Sequence, residues 1–315
     1  MEGKEMAFQI QGGVWPTMIT PYTADNKIDY DTIPQMVDFY ARRGCKGIFA
    51  VCQSSEMLFL SREEKVELAK AVADANQGRM QIVASGHTAV DLKTQLEEIE
   101  AMMNVDGIDA YVLVSNALDP KNEGDGVFLE RFNQTVEHFP EIDFGIYECP
   151  LPYKRLVSLP ALQEMAQSRK LVFLKDTCCD YELIRQRLKA VEGTPLKIFN
   201  ANAASFYDSF LHGGAGYNGI MANYHPELYR WALEHSQTDP EKAQLMADLL
   251  CELAMIEMRL YPVSAKYHMN LVGIPMELSA RSADCSRFDK NAKQEVDSMY
   301  AVEKALHKML GIAEL

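Results

Sequence analysis

Lys175 ends the short apolar run Leu171-Val-Phe-Leu174, and Tyr147 ends another, Phe144-Gly-Ile-Tyr147. An amine held among apolar side chains loses the hydration that stabilises its ammonium form, so its pKa falls from the usual value of about 10.4. The neutral amine attacks a ketone to give a Schiff base, and the iminium takes up the electrons of a C–C or C–O bond broken beside it. A phenol on a neighbouring element is placed to move protons at such an intermediate. Each residue alone has a plainer reading, a solvated strand-end lysine and a packed tyrosine. Their occurrence at the ends of successive apolar runs points to chemistry.

Other polar groups sit at comparable places: Thr20-Pro-Tyr22, Cys52-Gln-Ser-Ser-Glu56, Glu148, Thr177 and Asn200-Ala-Asn202. What must position them shows in the rhythm of the chain. Short apolar runs recur at residues 14–20, 47–51, 81–85, 110–114, 144–147, 171–174, 196–199 and 217–221. Between them lie stretches of helical period; in residues 31–43, Ile33, Met36, Val37 and Tyr40 share one face. Residues 91–103 and 126–138 read the same way, and Ser61-Arg-Glu-Glu64 is a capping box that opens another helix. Eight strand–helix repeats with uniformly apolar strands predict an α/β fold, a (β/α)8 TIM barrel, over residues 1–236. No G-x-G-x-x-G follows the first strand to favour an open doubly wound sheet. Strand signals stop near Thr238, and residues 237–315 predict a C-terminal helical appendage. Its helices fall at 240–260 and 288–310, joined by a turn-rich stretch with Gly273, Pro275 and Arg281.

Composition narrows the partners. The 315 residues are 48% hydrophobic and 24% charged, and 31 Lys plus Arg against 45 Asp plus Glu leave a formal net charge of −14. That balance argues against nucleic acid or an anionic membrane as a partner. No stretch reaches the roughly 18 apolar residues needed to span a bilayer, and the opening segment lacks a signal-like apolar core, so a cytoplasmic location is expected. The seven cysteines form no C-x-x-C pair and the seven histidines no H-x-x-x-H. Free thiols and no metal centre are therefore expected. Cys178 and Cys179, just past the lysine, read as packing residues.

These residues, in this order, resemble the dihydrodipicolinate synthase and N-acetylneuraminate lyase family of Schiff-base aldolases. Thr20-Pro-Tyr22 with Ile28-Asp29 resembles the opening T-P-F…(I/V)-D, and Cys52-Gln-Ser-Ser-Glu56 stands where the family has G-(T/S)-T-G-E. Leu60-Ser-Arg-Glu-Glu64 is close to L-S-x-x-E, Tyr147-Glu-Cys-Pro150 to Y-N-x-P, and Leu174-Lys-Asp-Thr177 to (I/L)-K-(D/E)-(S/T). Gly213-Gly-Ala-Gly216, Ala222-Asn223, Lys266, Gly273-Ile-Pro275 and Arg281 extend the likeness over almost the whole chain. The resemblance implies that Lys175 forms the Schiff base and Tyr147 transfers protons. It implies that Ser54, with Ser55 beside it, binds the carboxylate of a pyruvate-type 2-oxo acid, and that Thr177 touches substrate beyond the keto acid. No cofactor is implied apart from the covalent Schiff base through lysine, and assembly as a homotetramer or homodimer is implied.

The departures mark an altered specificity pocket. Gln53 replaces a hydroxyl of the proton relay, and an amide hydrogen-bonds without passing a proton along. Ser55 replaces a glycine and so requires an ordinary backbone there. Asn116 and Ala117 replace a pair of tyrosines. The arginine that receives a dicarboxylic partner in the synthase branch falls at Pro152, with Arg155 three residues on. Asn200, Asn202 and Ala203 replace the polyol contacts of the lyase branch. Gln53, Glu148, Asn200, Asn202 and Asn218 together suit hydroxyls on a sugar-acid chain, while Glu148 would repel a second carboxylate. The expected activity is reversible C–C cleavage or condensation between a 2-oxo acid and an aldehyde. The alternatives are a 2-keto-3-deoxy sugar acid dehydratase using the same lysine, and a barrel that binds a keto acid or sugar acid without turnover.

Overall fold

The structure, a computed structural model, describes residues 9–313. Its eight strands are β1 (Gly13–Val14), β2 (Gly47–Phe49), β3 (Gln81–Ala84), β4 (Ala110–Val114), β5 (Phe144–Tyr147), β6 (Leu171–Asp176), β7 (Lys197–Asn200) and β8 (Gly216–Tyr217). All neighbours are parallel, in the order β1-β8-β7-β6-β5-β4-β3-β2. Past the end of β1, a Thr17–Phe49 bridge closes the circle, with Phe49 N–H donating to Pro16 O at 2.9 Å and Met18 N–H to Phe49 O at 3.0 Å. The fold is the (β/α)8 barrel that the rhythm predicts.

Helices α1 (Ile33–Arg42), α2 (Arg62–Asn76), α3 (Leu92–Met103), α4 (Ser115–Leu118), α5 (Asp125–His138), α6 (Leu159–Gln167), α7 (Tyr181–Ala190), α8 (Phe206–Leu211) and α9 (Pro226–Glu234) alternate with the strands. The C-terminal helices are α10 (Pro240–Leu253), α11 (Val263–Leu271) and α12 (Lys290–Leu310). The capping box before α2 forms, with Glu64 N–H donating to Ser61 Oγ at 3.1 Å and Ser61 N–H to Glu64 Oε2 at 2.9 Å.

Strand ends shift by a residue or two, the helix expected at 240–260 ends at Leu253 with a 3₁₀ turn over Ala254–Met258, and three elements differ further. The first strand is two residues long rather than seven, because Pro16 has no N–H for the ladder and leaves only its carbonyl to pair. The last stops at Tyr217: Asn218 N–H still donates to Asn200 O at 2.9 Å, its side-chain amide reaches Trp15 O at 2.6 Å, and Ile220–Asn223 then form a 3₁₀ turn. Helix α11 occupies part of the stretch read as a joint. Val263, Ser264, Ala265, Lys266, His268 and Met269 are all buried, so no apolar stripe betrays it in the sequence.

Aromatic rings fill the barrel below the strand ends. Phe173 stacks on Phe199 at 4.8 Å, and Trp15 lies 5.5 Å from each. Gly47 makes room for that indole: a Cβ there would stand 2.3 Å from the Trp15 ring. Outside β5 and β6, a buried guanidinium holds two carboxylates. Arg187 of α7 donates to Glu148 Oε1 at 2.6 Å and Oε2 at 3.1 Å, to Val157 O at 2.6 Å, and to Asp176. Glu148 and Asp176 directly follow Tyr147 and Lys175 in the chain.

Removing one partner of a buried ion pair leaves uncompensated charge, so Arg187→Leu is expected to lower the unfolding free energy by about 3–5 kcal/mol in urea titrations. Burial already pushes the Glu148 carboxyl up, with Arg187 pulling it back. Without Arg187 its folded-state pKa rises further above the unfolded value. The deficit should therefore shrink as pH falls toward about 5 and grow toward about 8. A deficit independent of pH would place the loss elsewhere.

Candidate active site

Tyr147 and Lys175 are register partners on β5 and β6 and lie side by side at the top of the barrel. Lys175 is 4% exposed, its Nζ 4.5 Å from the centre of the Tyr147 ring and 5.9 Å from that of Phe49. Loss of hydration lowers its pKa, and the Glu257 carboxylate works against that shift. The Tyr147 hydroxyl donates to Gln53 Oε1 at 3.3 Å, an oxygen that also receives the Cys149 thiol at 3.2 Å. Burial pushes the phenol well above its ordinary range, so it stays protonated.

The loop after β2 is built around Ser55. Its hydroxyl lies 2.7 Å from Met18 O and 2.8 Å from Ala50 O and accepts from Cys52 N–H at 3.1 Å. The left-handed residue of the loop is Glu56, at φ 62°, so the glycine expected at position 55 is not needed there. Ser54 turns its hydroxyl toward the cavity, 3.1 Å from Thr17 Oγ1. Glu56 Oε2 accepts the backbone N–H groups of Arg281 at 2.6 Å and Ser282 at 2.7 Å, and Lys266 Nζ stands 3.8 Å from Oε1. Arg281 also forks onto Glu64 at 2.8 Å for both contacts, which ties the capping box to the C-terminal segment.

A cavity of about 230 Å³ opens over Lys175, and Gln53, Ser54, Tyr147 and Thr177 share its wall. Three expected ligands are absent from that wall. Ser55 is wholly buried and bonds backbone; Asn200 donates to Ser205 Oγ at 3.0 Å and Ser209 Oγ at 3.2 Å; Asn218 is turned to Trp15. Glu148 faces Arg187 behind the strands, so it does not present charge to substrate. Arg155 is likewise committed, to Asp119 at 3.0 Å and Asp125 at 2.8 Å. Asn116 donates to the carbonyls of Cys149, Leu151 and Tyr153 at 2.7–2.9 Å and so shapes the loop after β5. Thr177 lines the cavity while its hydroxyl donates to Glu148 O at 2.8 Å. Cys179 is exposed, not packed.

Two residues at the mouth were not foreseen. Tyr261, between α10 and α11, lines the cavity, and its hydroxyl accepts from Asn223 Nδ2 at 3.1 Å. Glu257 bears no hydrogen bond or ion pair among the described residues, and burial pushes its carboxyl up to about 7. Both lie in the C-terminal segment, where no strand end announces an active-site position. Elsewhere, Glu227, Glu303 and His307 bring three donor atoms within 4.8 Å of one another. These are already engaged: His307 with Glu227 at 2.7 Å, Glu227 with Arg43 at 2.9 Å, Glu303 with His268 at 2.8 Å. The cluster locks α12 to α9 and lines no part of the cavity over Lys175.

A closed (β/α)8 barrel that presents a desolvated lysine beside a buried tyrosine defines the class, a lyase of the class I aldolase type. The chain belongs to the dihydrodipicolinate synthetase family, whose model matches residues 11–301. It is 24% identical over 263 residues to a 4-hydroxy-tetrahydrodipicolinate synthase of Enterococcus faecalis, covering 82% of this chain and 88% of that one. A dihydrodipicolinate synthase from Bacillus anthracis superposes with a TM-score of 0.84 at 16% identity, over 93% of this chain and 98% of that chain. A prophage protein of the dihydrodipicolinic acid synthase family from E. coli K12, solved with pyruvate, gives 0.81 at 18% identity, over 96% and 99%.

A buried amine with a lowered pKa is carried at the expense of stability. Lys175→Met, which keeps the volume and removes the amine, is expected to raise the melting temperature by a few degrees. The gain should be larger at low pH, where the ammonium form must be buried. An unchanged or lower melting temperature at pH 6 would show that the amine is not desolvated.

Proposed function

We propose that this protein is a Schiff-base aldolase acting on a pyruvate-type 2-oxo acid, with reversible C3–C4 cleavage or condensation with an aldehyde. The observation that carries the reading is the Lys175 amine itself: buried, free of hydrogen bonds among the described residues, and facing a cavity beside a protonated phenol. Ser54, through its hydroxyl and backbone N–H, receives the substrate carboxylate. The Gln53 amide NH₂ is unpaired among the described residues, because its oxygen takes the Tyr147 and Cys149 donors, and it adds a further donor there.

Lys175 Nζ attacks the C2 carbonyl, Tyr147 delivers the proton that lets the oxygen leave as water, and an iminium remains. In cleavage the C4 hydroxyl loses its proton as the C3–C4 bond breaks, and the bonding electrons pass into the iminium to give an enamine and an aldehyde. Protonation at C3 and attack of water return the amine and release the 2-oxo acid. Condensation is the reverse. Gln53 fixes the phenol without relaying its proton, so Tyr147 exchanges protons directly with substrate and water. Assembly as a homotetramer or homodimer belongs to the same proposal and is read by sedimentation.

Glu257 favours a second reading. A carboxyl that ionises near neutrality and acts electrostatically on the lysine suits protonation of a departing hydroxyl, and so a 2-keto-3-deoxy acid dehydratase. Product mass separates the two, since dehydration keeps the carbon count and cleavage divides it.

Borohydride treatment with pyruvate should leave a reduced adduct on Lys175, found by peptide mapping and missing from Lys175→Ala. Tyr147→Phe should lower turnover by about 10²–10⁴ while the adduct still forms slowly. If neither pyruvate nor longer 2-oxo acids give an adduct, Lys175 is a structural residue and the non-catalytic binding reading prevails.

A further inference from the structure

The cavity over Lys175 continues into a second chamber of about 410 Å³, which shares Pro150, Thr177 and Ala201 with it. The new walls are mostly hydrocarbon and sulfur: Ala203, Ala204, Ala254, Met255, Met258 and Cys179. The side chains that would grip a polyol are spent, as shown above for Asn200, Asn218 and Glu148. Asn202 does reach the chamber wall, but its oxygen caps Ala204 N–H at 2.7 Å and Ser205 N–H at 3.3 Å, which leaves its NH₂ as the one carboxamide donor among the described residues of that wall.

Among the described residues no arginine lines either space, so a second carboxylate on the substrate would find no bidentate receiver there. The lining charges of the second chamber are Lys154, exposed at the rim, and the unpaired Glu257. A carboxylate seated deep in the chamber would meet Glu257. The rim is unusually apolar for a surface. Met255 is 67% exposed, Met258 78%, Phe59 49%, Leu151 46% and Leu58 42%, all lining one or other cavity. Large apolar side chains gathered in water around one opening mark a binding surface, and thioethers adapt to rings and branched chains alike.

We infer that the second chamber is the subsite for the aldehyde-derived half of the substrate, and that it takes an uncharged apolar group, aromatic or branched aliphatic. The inference rests on the aldolase reading of Lys175. The 2-oxo acid occupies the space between Ser54 and Lys175, and its C3 faces the shared wall of Thr177 and Ala201. A group attached at C4 then extends over the alanines toward the two methionines. A chamber of this size accommodates a substituted ring.

The test offers the purified enzyme pyruvate with benzaldehyde, isovaleraldehyde, glyceraldehyde or aspartate semialdehyde in turn, and reads the condensation products by mass. Borohydride trapping with pyruvate alone runs beside it. Benzaldehyde and isovaleraldehyde should exceed the other two in kcat/KM by about tenfold or more, the discrimination an apolar pocket provides. Met258→Glu changes an exposed residue and so should fold normally. It should remove most of that preference while leaving the pyruvate adduct and the chain's sedimentation unchanged.

A preference for glyceraldehyde or the semialdehyde, with the adduct intact, overturns the apolar subsite and leaves the aldolase reading standing. Absence of any adduct overturns the aldolase reading instead. Should Met258→Glu alter the oligomeric state and not the preference, the apolar rim is a contact between copies of the chain, and the inference falls.

Discussion

Water is excluded from the Lys175 amine by the rings of Tyr147 and Phe49, with the Phe173, Phe199 and Trp15 stack below them, and that exclusion constrains every group nearby. A full negative charge hydrogen-bonded to Nζ would restore the ammonium and silence the nucleophile. The carboxylates closest in sequence are accordingly turned away. Glu148 and Asp176, directly after Tyr147 and Lys175, point out of the barrel to the Arg187 guanidinium. Two strands thus carry Tyr147 and Lys175 facing inward, each followed by a carboxylate facing the helices, as the period-two alternation of a strand allows. Arg187 keeps both charges paired outside the barrel, so that of the carboxylates it is Glu257 that pulls on the amine.

The same economy governs the loop after β2, proposed above to receive the substrate. Ser55 and Thr20 hold its backbone from beneath, and Glu56 takes a left-handed turn so that its carboxylate reaches the amides of Arg281 and Ser282. The C-terminal segment therefore does more than pad the barrel. Through Arg281 it locks both the loop and the start of α2, and through Tyr261 it reaches into the cavity. Local unfolding of this segment would release the Glu56 clasp and a wall of the site together, so the stability of the appendage and the order of the active site are linked.

How much of this the sequence disclosed follows from the range of each interaction. β4 and β5 were read to the residue and the other strands in part, because strands covered by helices are continuous apolar runs, and Lys175 and Tyr147 stood out as the polar residues that ended two of them. The capping box was legible because its partners are three residues apart. Asn218 looked like a pocket residue because its partner, Trp15, lies 203 positions away. Glu148 looked like a charge in the pocket because Arg187 lies 39 positions away, in a helix whose polar residues would ordinarily face water. Residue type announces that a side chain will hydrogen-bond; only the fold says to what. Helix α11 escaped for a related reason, since its buried polar residues hide the periodicity that would have marked it.

Those commitments separate the two halves of the site. The residues proposed to act on the keto acid, namely Lys175, Tyr147 and Ser54, keep their donors and acceptors free or weakly engaged. Most of the groups that could have contacted the rest of a polar substrate, the Asn202 NH₂ apart, have used theirs on the protein. A buried amide already bonded to backbone gains nothing from a substrate hydroxyl, because it exchanges one hydrogen bond for another. Apolar walls have no such competing partner, and their interaction with substrate comes from the water each side gives up. On the proposed reading, selectivity for what lies beyond C3 falls to shape and apolar contact, with Lys154 and Glu257 as the ionisable groups in the chamber lining to feel a charge on the substrate.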